Sequence, residues 1–253
     1  METELTTYEW VKVTEEAAFP GRDGAGALVH DDRMWLIGGW NPADKQTNPV
    51  RSNCNNEVWS SVDGATWLLE KPNTHLNDDF VQVTDWEARH TAGYVVHDGR
   101  MWIVGGDSLL GHYQDDVWCS SDGIEWHWVN RHRPVPWGPR SLHYTFVFQQ
   151  RIWVLGGQTT PQFAPQDEIF HADVWNSDDG LHWDRVEMTR PFTPHRGMIG
   201  GSAVFQDRIW LLGGGTYDTP GRPRRAFHND VWSSTNGSVT SSTPPGARAS
   251  TTL

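Results

Sequence analysis

Arg33-Met-Trp-Leu-Ile-Gly-Gly39 recurs without gaps as Arg100-Met-Trp-Ile-Val-Gly-Gly106, Arg151-Ile-Trp-Val-Leu-Gly-Gly157 and Arg208-Ile-Trp-Leu-Leu-Gly-Gly214. Each copy is a short apolar run rich in β-formers and closed by two glycines, which reads as a buried strand ending in a sharp turn. Glycine suits that ending because it accepts positive φ and lets a second backbone come close.

Working outward, a turn-like pair precedes each copy: Asp31-Asp32, Asp98-Gly99, Gln149-Gln150 and Gln206-Asp207. Before the pair stands another apolar run, such as Gly93-Tyr-Val-Val-His97 or Thr145-Phe-Val-Phe148, so the two runs form a hairpin. Downstream come Glu57-Val-Trp-Ser-Ser61, Asp116-Val-Trp-Cys-Ser120, Asp173-Val-Trp-Asn-Ser177 and Asp230-Val-Trp-Ser-Ser234. Three of these run into Asp-Gly turns followed by Trp67, Trp126 and Trp183, each eight residues after the preceding Val-Trp tryptophan. That is a second hairpin. Four strands per unit, with double glycines 51 to 67 residues apart, predict an all-β propeller of four-stranded antiparallel blades.

The apolar run into Gly-Gly and the later Val-Trp resemble the kelch repeat, over residues 8 to 235. The turns at Asp63, Asp122 and Asp179 also resemble the Asp-box hairpin of sialidase-type propellers, one residue shorter, and the resemblance assigns them a structural role. Tyr8-Glu-Trp-Val-Lys-Val13 matches the fourth strands around Trp126 and Trp183, so the N-terminal strand is expected to complete the last blade. The last repeat lacks a tryptophan at Thr240. Two readings stay open: a four-bladed ring with a tail at 236–253, or a fifth blade that Pro244-Pro-Gly-Ala-Arg248 begins and leaves incomplete. The expected organisation is one propeller domain over 1–235, followed by a degenerate segment.

The 16 tryptophans among 253 residues supply large apolar areas, so the core is expected to be Trp-dominated. A formal charge of -12 repels phosphate backbones and disfavours nucleic-acid binding. No basic run followed by an apolar stretch opens the chain, and no segment has the length to span a membrane, so a cytoplasmic protein is expected. Cys54 and Cys119 stand alone, with no CxxC pair.

Long loops at 40–56, 158–172 and 215–229 should share one face, where binding usually sits on a rigid scaffold. Arg22, Arg89, Arg140 and Arg196 occupy equivalent positions before the innermost strand of each blade and are expected at the mouth of the central channel. Guanidinium groups there can bind carboxylates bidentately, or can pair with acidic neighbours inside the protein. In animal kelch adaptors arginines at this repeat position contact acidic peptides, so the resemblance implies that use. His90, His143 and His195 stand beside them, and His171 and His228 end long loops. No metal-ligand spacing links the histidines, and no metal or cofactor is expected. Trp40, Trp86 and Trp137 fall outside the repeating tryptophan positions and are candidates for stacking on a ligand.

The leading expectation is a binding module for an acidic peptide or small anion. The kelch resemblance also implies enzymes, among them sugar-acid mutarotases, for which Asp107, Glu168 or His195 would be acid–base candidates. A third reading is an assembly scaffold whose unfinished blade a partner completes, by self-association or otherwise.

Overall fold

The computed structural model describes residues 9–41, 53–74, 79–109, 112–159, 169–188, 200–216, 226–235 and 240–241. Blade one is β1 (Gly26–His30), β2 (Arg33–Ile37), β3 (Val58–Ser61) and β4 (Leu68–Lys71), paired in that order. Blade two is β5 (Gly93–His97), β6 (Arg100–Leu109), β7 (His112–Ser120) and β8 (His127–Trp128). In blade three β9 (Tyr144–Phe148) and β10 (Arg151–Leu155) lead into the ribbon β11 (Gln158–Thr159) and β12 (Ile169–Phe170), then β13 (Val174–Ser177) and β14 (Asp184–Arg185). Blade four repeats this as β15 (Gly201–Phe205) and β16 (Arg208–Leu212), the ribbon β17 (Gly215–Thr216) and β18 (Ala226–Phe227), then β19 (Val231–Ser234) and β20 (Thr240–Ser241). All pairings are antiparallel, as the hairpin reading requires.

The tight turns take the mirror-type form that matches strand twist, with positive φ at both central residues: 50° and 54° at Asp31 and Asp32, 50° and 57° at Gln149 and Gln150. Successive innermost strands β1, β5, β9 and β15 lie side by side around an axis. Between the blades the core divides into three clusters. Trp35, Ile37, Met101, Ile103 and Trp118 join blades one and two. Trp102, Val104, Ile152 and Val154 join two and three, and Trp153, Leu155, Ile209 and Leu211 join three and four.

The first two joints have the same construction. The second-strand tryptophan of one blade lies under the Ser-x-Asp-Gly turn of the next: Trp35 under Gly123, and Trp102 under Gly180. At both glycines a Cβ would overlap the indole. His30 Nε2 meets the Ser121 carbonyl at 3.0 Å, and His97 Nε2 meets that of Asp178 at 2.8 Å. Gln149 makes the corresponding contact to Thr235 in the third joint, at 3.3 Å. The turns themselves are fixed locally: Ser120 Oγ accepts from Gly123 N, and Asp122 Oδ1 accepts from the amides of Ile124 and Glu125. The same bonds recur at Asp63 and Asp179, which therefore serve the turns.

One expectation is corrected. Residues 9–13 form no strand and Trp10 is 97% exposed; the outer position of blade four belongs to β20, paired with β19. The physical reason is proximity. β20 follows β19 closely along the chain, so the hairpin closes at little entropic cost. Phe19, by contrast, packs on Trp59 and Trp67 and fixes the N-terminal segment beside blade one. Blade four accordingly has four strands, and the opening lies between blades four and one. The rest of 236–253 falls outside the described residues.

Candidate functional site

The recurring arginines take part in a lock inside each blade. Arg89 Nη1 donates to the Gly105 carbonyl at 3.0 Å, and its guanidinium grips both carboxylate oxygens of Asp116. Asp116 Oδ2 also accepts from Trp118 Nε1 at 2.8 Å. Arg140 does the same with Gly156, Asp173 and Trp175 in blade three. Arg22 does so with Gly38, Glu57 and Trp59 in blade one. The double glycine serves two partners here. The carbonyl of its first residue accepts from the arginine of the same blade. The amide of its second donates to the backbone carbonyl of the next blade's arginine, Gly39 to Arg89 and Gly106 to Arg140, both at 2.9 Å.

The side chains of Arg89 and Arg140 are 0% exposed. A charge that deep is tolerable only when paired, and removing one partner of such a pair costs about 3–5 kcal/mol. Their guanidinium groups are thereby engaged within the blades and face no channel mouth. Arg22, with its side chain 3% exposed, is held in the same way. Arg196 and His195 lie outside the described residues.

Trp86 and Trp137 are buried, against Trp126 and Trp183 at 5.9 and 5.6 Å between ring centroids. They stand three residues before Arg89 and Arg140, and Phe19 holds that position before Arg22. They are a repeat feature and part of the core, which corrects their reading as loop tryptophans open to a ligand. Trp40 is half-buried and stacks on His90 at 6.1 Å. His90 Nδ1 bonds the Asp107 carbonyl at 2.9 Å and lies 3.5 Å from Cys54 Sγ; burial lowers its pKa. His171 pairs through Nε2 with Thr159 Oγ1 at 3.1 Å, and burial together with the nearby Arg140 charge holds its pKa near 4. His228 stands at the equivalent place in blade four, its amide bonded to the Gly214 carbonyl as that of His171 is to Gly157. His90, His171 and His228 therefore sit in blades two, three and four, and among the described residues no three His, Cys, Asp or Glu side chains are placed to hold a metal.

Of the predicted histidines among the described residues, His143 alone lines the axial cavities. It borders two adjoining open cavities of about 240 and 270 Å³, lined by the starts of the innermost strands and the residues just before them in all four blades. Tyr94, Tyr144 and Gly200 line both with it, and Thr145 and Ser202 line the larger. Tyr94 Oη and Thr145 Oγ1 are buried without a hydrogen-bonding partner in the protein, and the buried His143 ring approaches the Val104 backbone. Burial, reinforced by Arg140 and His171, holds the His143 pKa down at about 3, so the ring is neutral at pH 7. Burial likewise raises the Tyr94 phenol above its usual value, so it stays protonated. The polar groups behind this wall are thus neutral.

Tyr94, Tyr144 and Thr145 were not singled out from sequence. The available signal was a break in register: Tyr144 stands where the other innermost strands carry Gly26, Gly93 and Gly201.

No family model matches the chain. Among solved structures it is similar to the β-propeller protein YjhT, with a TM-score of 0.66 and 14% sequence identity, over 90% of this chain and 72% of that one. The likeness establishes a kelch-like all-β propeller fold. No helix of the described residues is long and apolar enough to cross a membrane.

Proposed function

We propose that this chain is a kelch-type binding module whose axial cavity takes a small, hydroxyl-rich ligand. One observation supports the reading: Tyr94, His143 and Thr145, from neighbouring blades, line a single cavity, and Tyr94 Oη and Thr145 Oγ1 lie buried behind its wall with no hydrogen-bonding partner in the protein. A buried polar group left unpaired costs about 1–3 kcal/mol, and hydroxyls of a ligand or of water recover that cost. Cavities of about 240 and 270 Å³ suit a monosaccharide-sized molecule.

Anion capture through the arginines loses its support, because Arg89 and Arg140 are already neutralised by Asp116 and Asp173. A mutarotase role needs a group that exchanges protons near neutral pH. Of the residues considered for it, Asp107 is buried, and Glu168 and His195 lie outside the described residues.

Calorimetric titration with neutral monosaccharides and with N-acetylneuraminic acid tests the proposal. The expected result is binding of a neutral sugar that Tyr94→Phe weakens about tenfold, the loss of one buried hydrogen bond. A failure of every neutral sugar to bind, or equal binding by the Tyr94→Phe variant, overturns it. Faster anomer exchange of the acid in magnetisation-transfer spectroscopy would establish the enzymatic reading instead.

A further inference from the structure

The three blade joints share two halves. The earlier blade offers a socket, the second-strand tryptophan with the residue that ends its innermost strand. The later blade offers a plug, the Ser-x-Asp-Gly turn or its counterpart. In the filled joints the socket tryptophans Trp35, Trp102 and Trp153 are 5%, 3% and 3% exposed.

Among the described residues, nothing fills the socket of blade four. Phe205, equivalent to His30 and His97, is 60% exposed, and Trp210 is only half-buried. Leu212, on the same face as Trp210, adds to this apolar surface. β15 is exposed along its whole length, whereas β5 and β9 alternate buried and half-buried residues. Blade one has the converse. Its turn at residues 61–64 is a complete plug, with Ser61 Oγ and Asp63 Oδ1 bonded as in the other blades. Yet around a Cβ built on Gly64 stand only Met34 Cε at 3.3 Å and Val13 Cγ1 at 4.0 Å, where Gly123 and Gly180 meet a tryptophan ring. Val62, at the tip of this turn, is 71% exposed.

Among the described residues, the uncovered sides of blades four and one therefore present the two halves of the joint seen between blades one and two and between blades two and three. We infer that the chain associates head to tail with a second copy, the blade-one turn of one copy seating on Trp210 and Phe205 of the other. The occupant is a second copy because the surface needed is already specified in the joints between blades one and two and between blades two and three. Such a contact is heterologous: it closes as a ring of two or continues as a chain, according to the angle between blades.

Sedimentation velocity of the 253-residue chain provides the test. Species heavier than the 28.7 kDa of one chain are expected. Phe205→Asp removes the socket and Val62→Glu the plug, so each variant alone should lose the heavier species. Mixing the two should restore a dimer, since one copy keeps an intact plug and the other an intact socket. Near-ultraviolet dichroism from the tryptophans confirms that both variants are folded; Val62→Glu, on an exposed turn, serves as the test if Phe205→Asp is not. A monomeric parent chain overturns the inference and leaves the ends to blades of a different polypeptide. A dimer that survives Val62→Glu, or a mixture that stays monomeric, overturns the head-to-tail geometry.

Discussion

His143 shows how a single side chain couples the cavity to the acid stability of the fold. Its neighbours Arg140 and His171 are both basic, and the surrounding strands exclude water, so protonating the ring is unfavourable in the folded state. The unfolded chain has no such restriction and takes up the proton near 6.5. Between that value and about 3 the unfolded state therefore binds more protons, and stability rises with pH. The contribution is fully present above pH 6.5 and is lost as pH falls towards 3, at up to about 1.4 kcal/mol per pH unit for each such histidine. His171 adds a second loss that ends near 4. Urea midpoints measured from pH 7 to 4 should fall, and His143→Gln should flatten that fall. An unchanged slope in the variant would show that the burial of His143 is not felt.

At the scale of the element, the Ser-x-Asp-Gly turn fixes a glycine at positive φ and presses it onto an indole. Gly123, at φ +74°, has no room for a methyl against Trp35. Gly123→Ala combines left-handed backbone strain with overpacking, and should destabilise by about 2–4 kcal/mol. The loss should appear as a lower urea midpoint and a weaker near-ultraviolet tryptophan signal. Gly99→Ala, at φ +65° but in open space, should cost about 1 kcal/mol and leave the tryptophan signal intact. These elements were largely legible in sequence, because the joint demands one small and one large residue in every repeat. The arginine lock was half legible. Arg22, Arg89 and Arg140 stood out by recurrence, while their partners Glu57, Asp116 and Asp173 recurred as plainly, directly before Val-Trp. Which carboxylate meets which arginine depends on pairing across two strands, and recurrence alone does not state it. Trp86 and Trp137 were misread because Phe19, their counterpart in blade one, is a different aromatic. The cavity wall was the least legible part, since Tyr94 and Tyr144 depend on which residue of each innermost strand faces the axis.

The whole molecule is an arc of nearest-neighbour contacts, so its stability should be uneven in a definite order. Blades two and three have a neighbour on both sides, while blades one and four have one each. Amide hydrogen exchange in dilute solution should find β6 and β10 slowest. β16 should open several-fold sooner, because the Trp210 side of blade four is uncovered. Uniform protection across the four blades would count against this gradient. The arginine lock adds a consequence of another kind. Arg89, Gly105, Asp116 and Trp118 all belong to one blade, and the joint beyond them is always made with the same turn. A duplicated stretch of DNA encoding one repeat thus carries its own charge pair and both coupling surfaces. Copy number in a lineage of such proteins can drift by whole blades, with no second mutation needed to neutralise a buried charge.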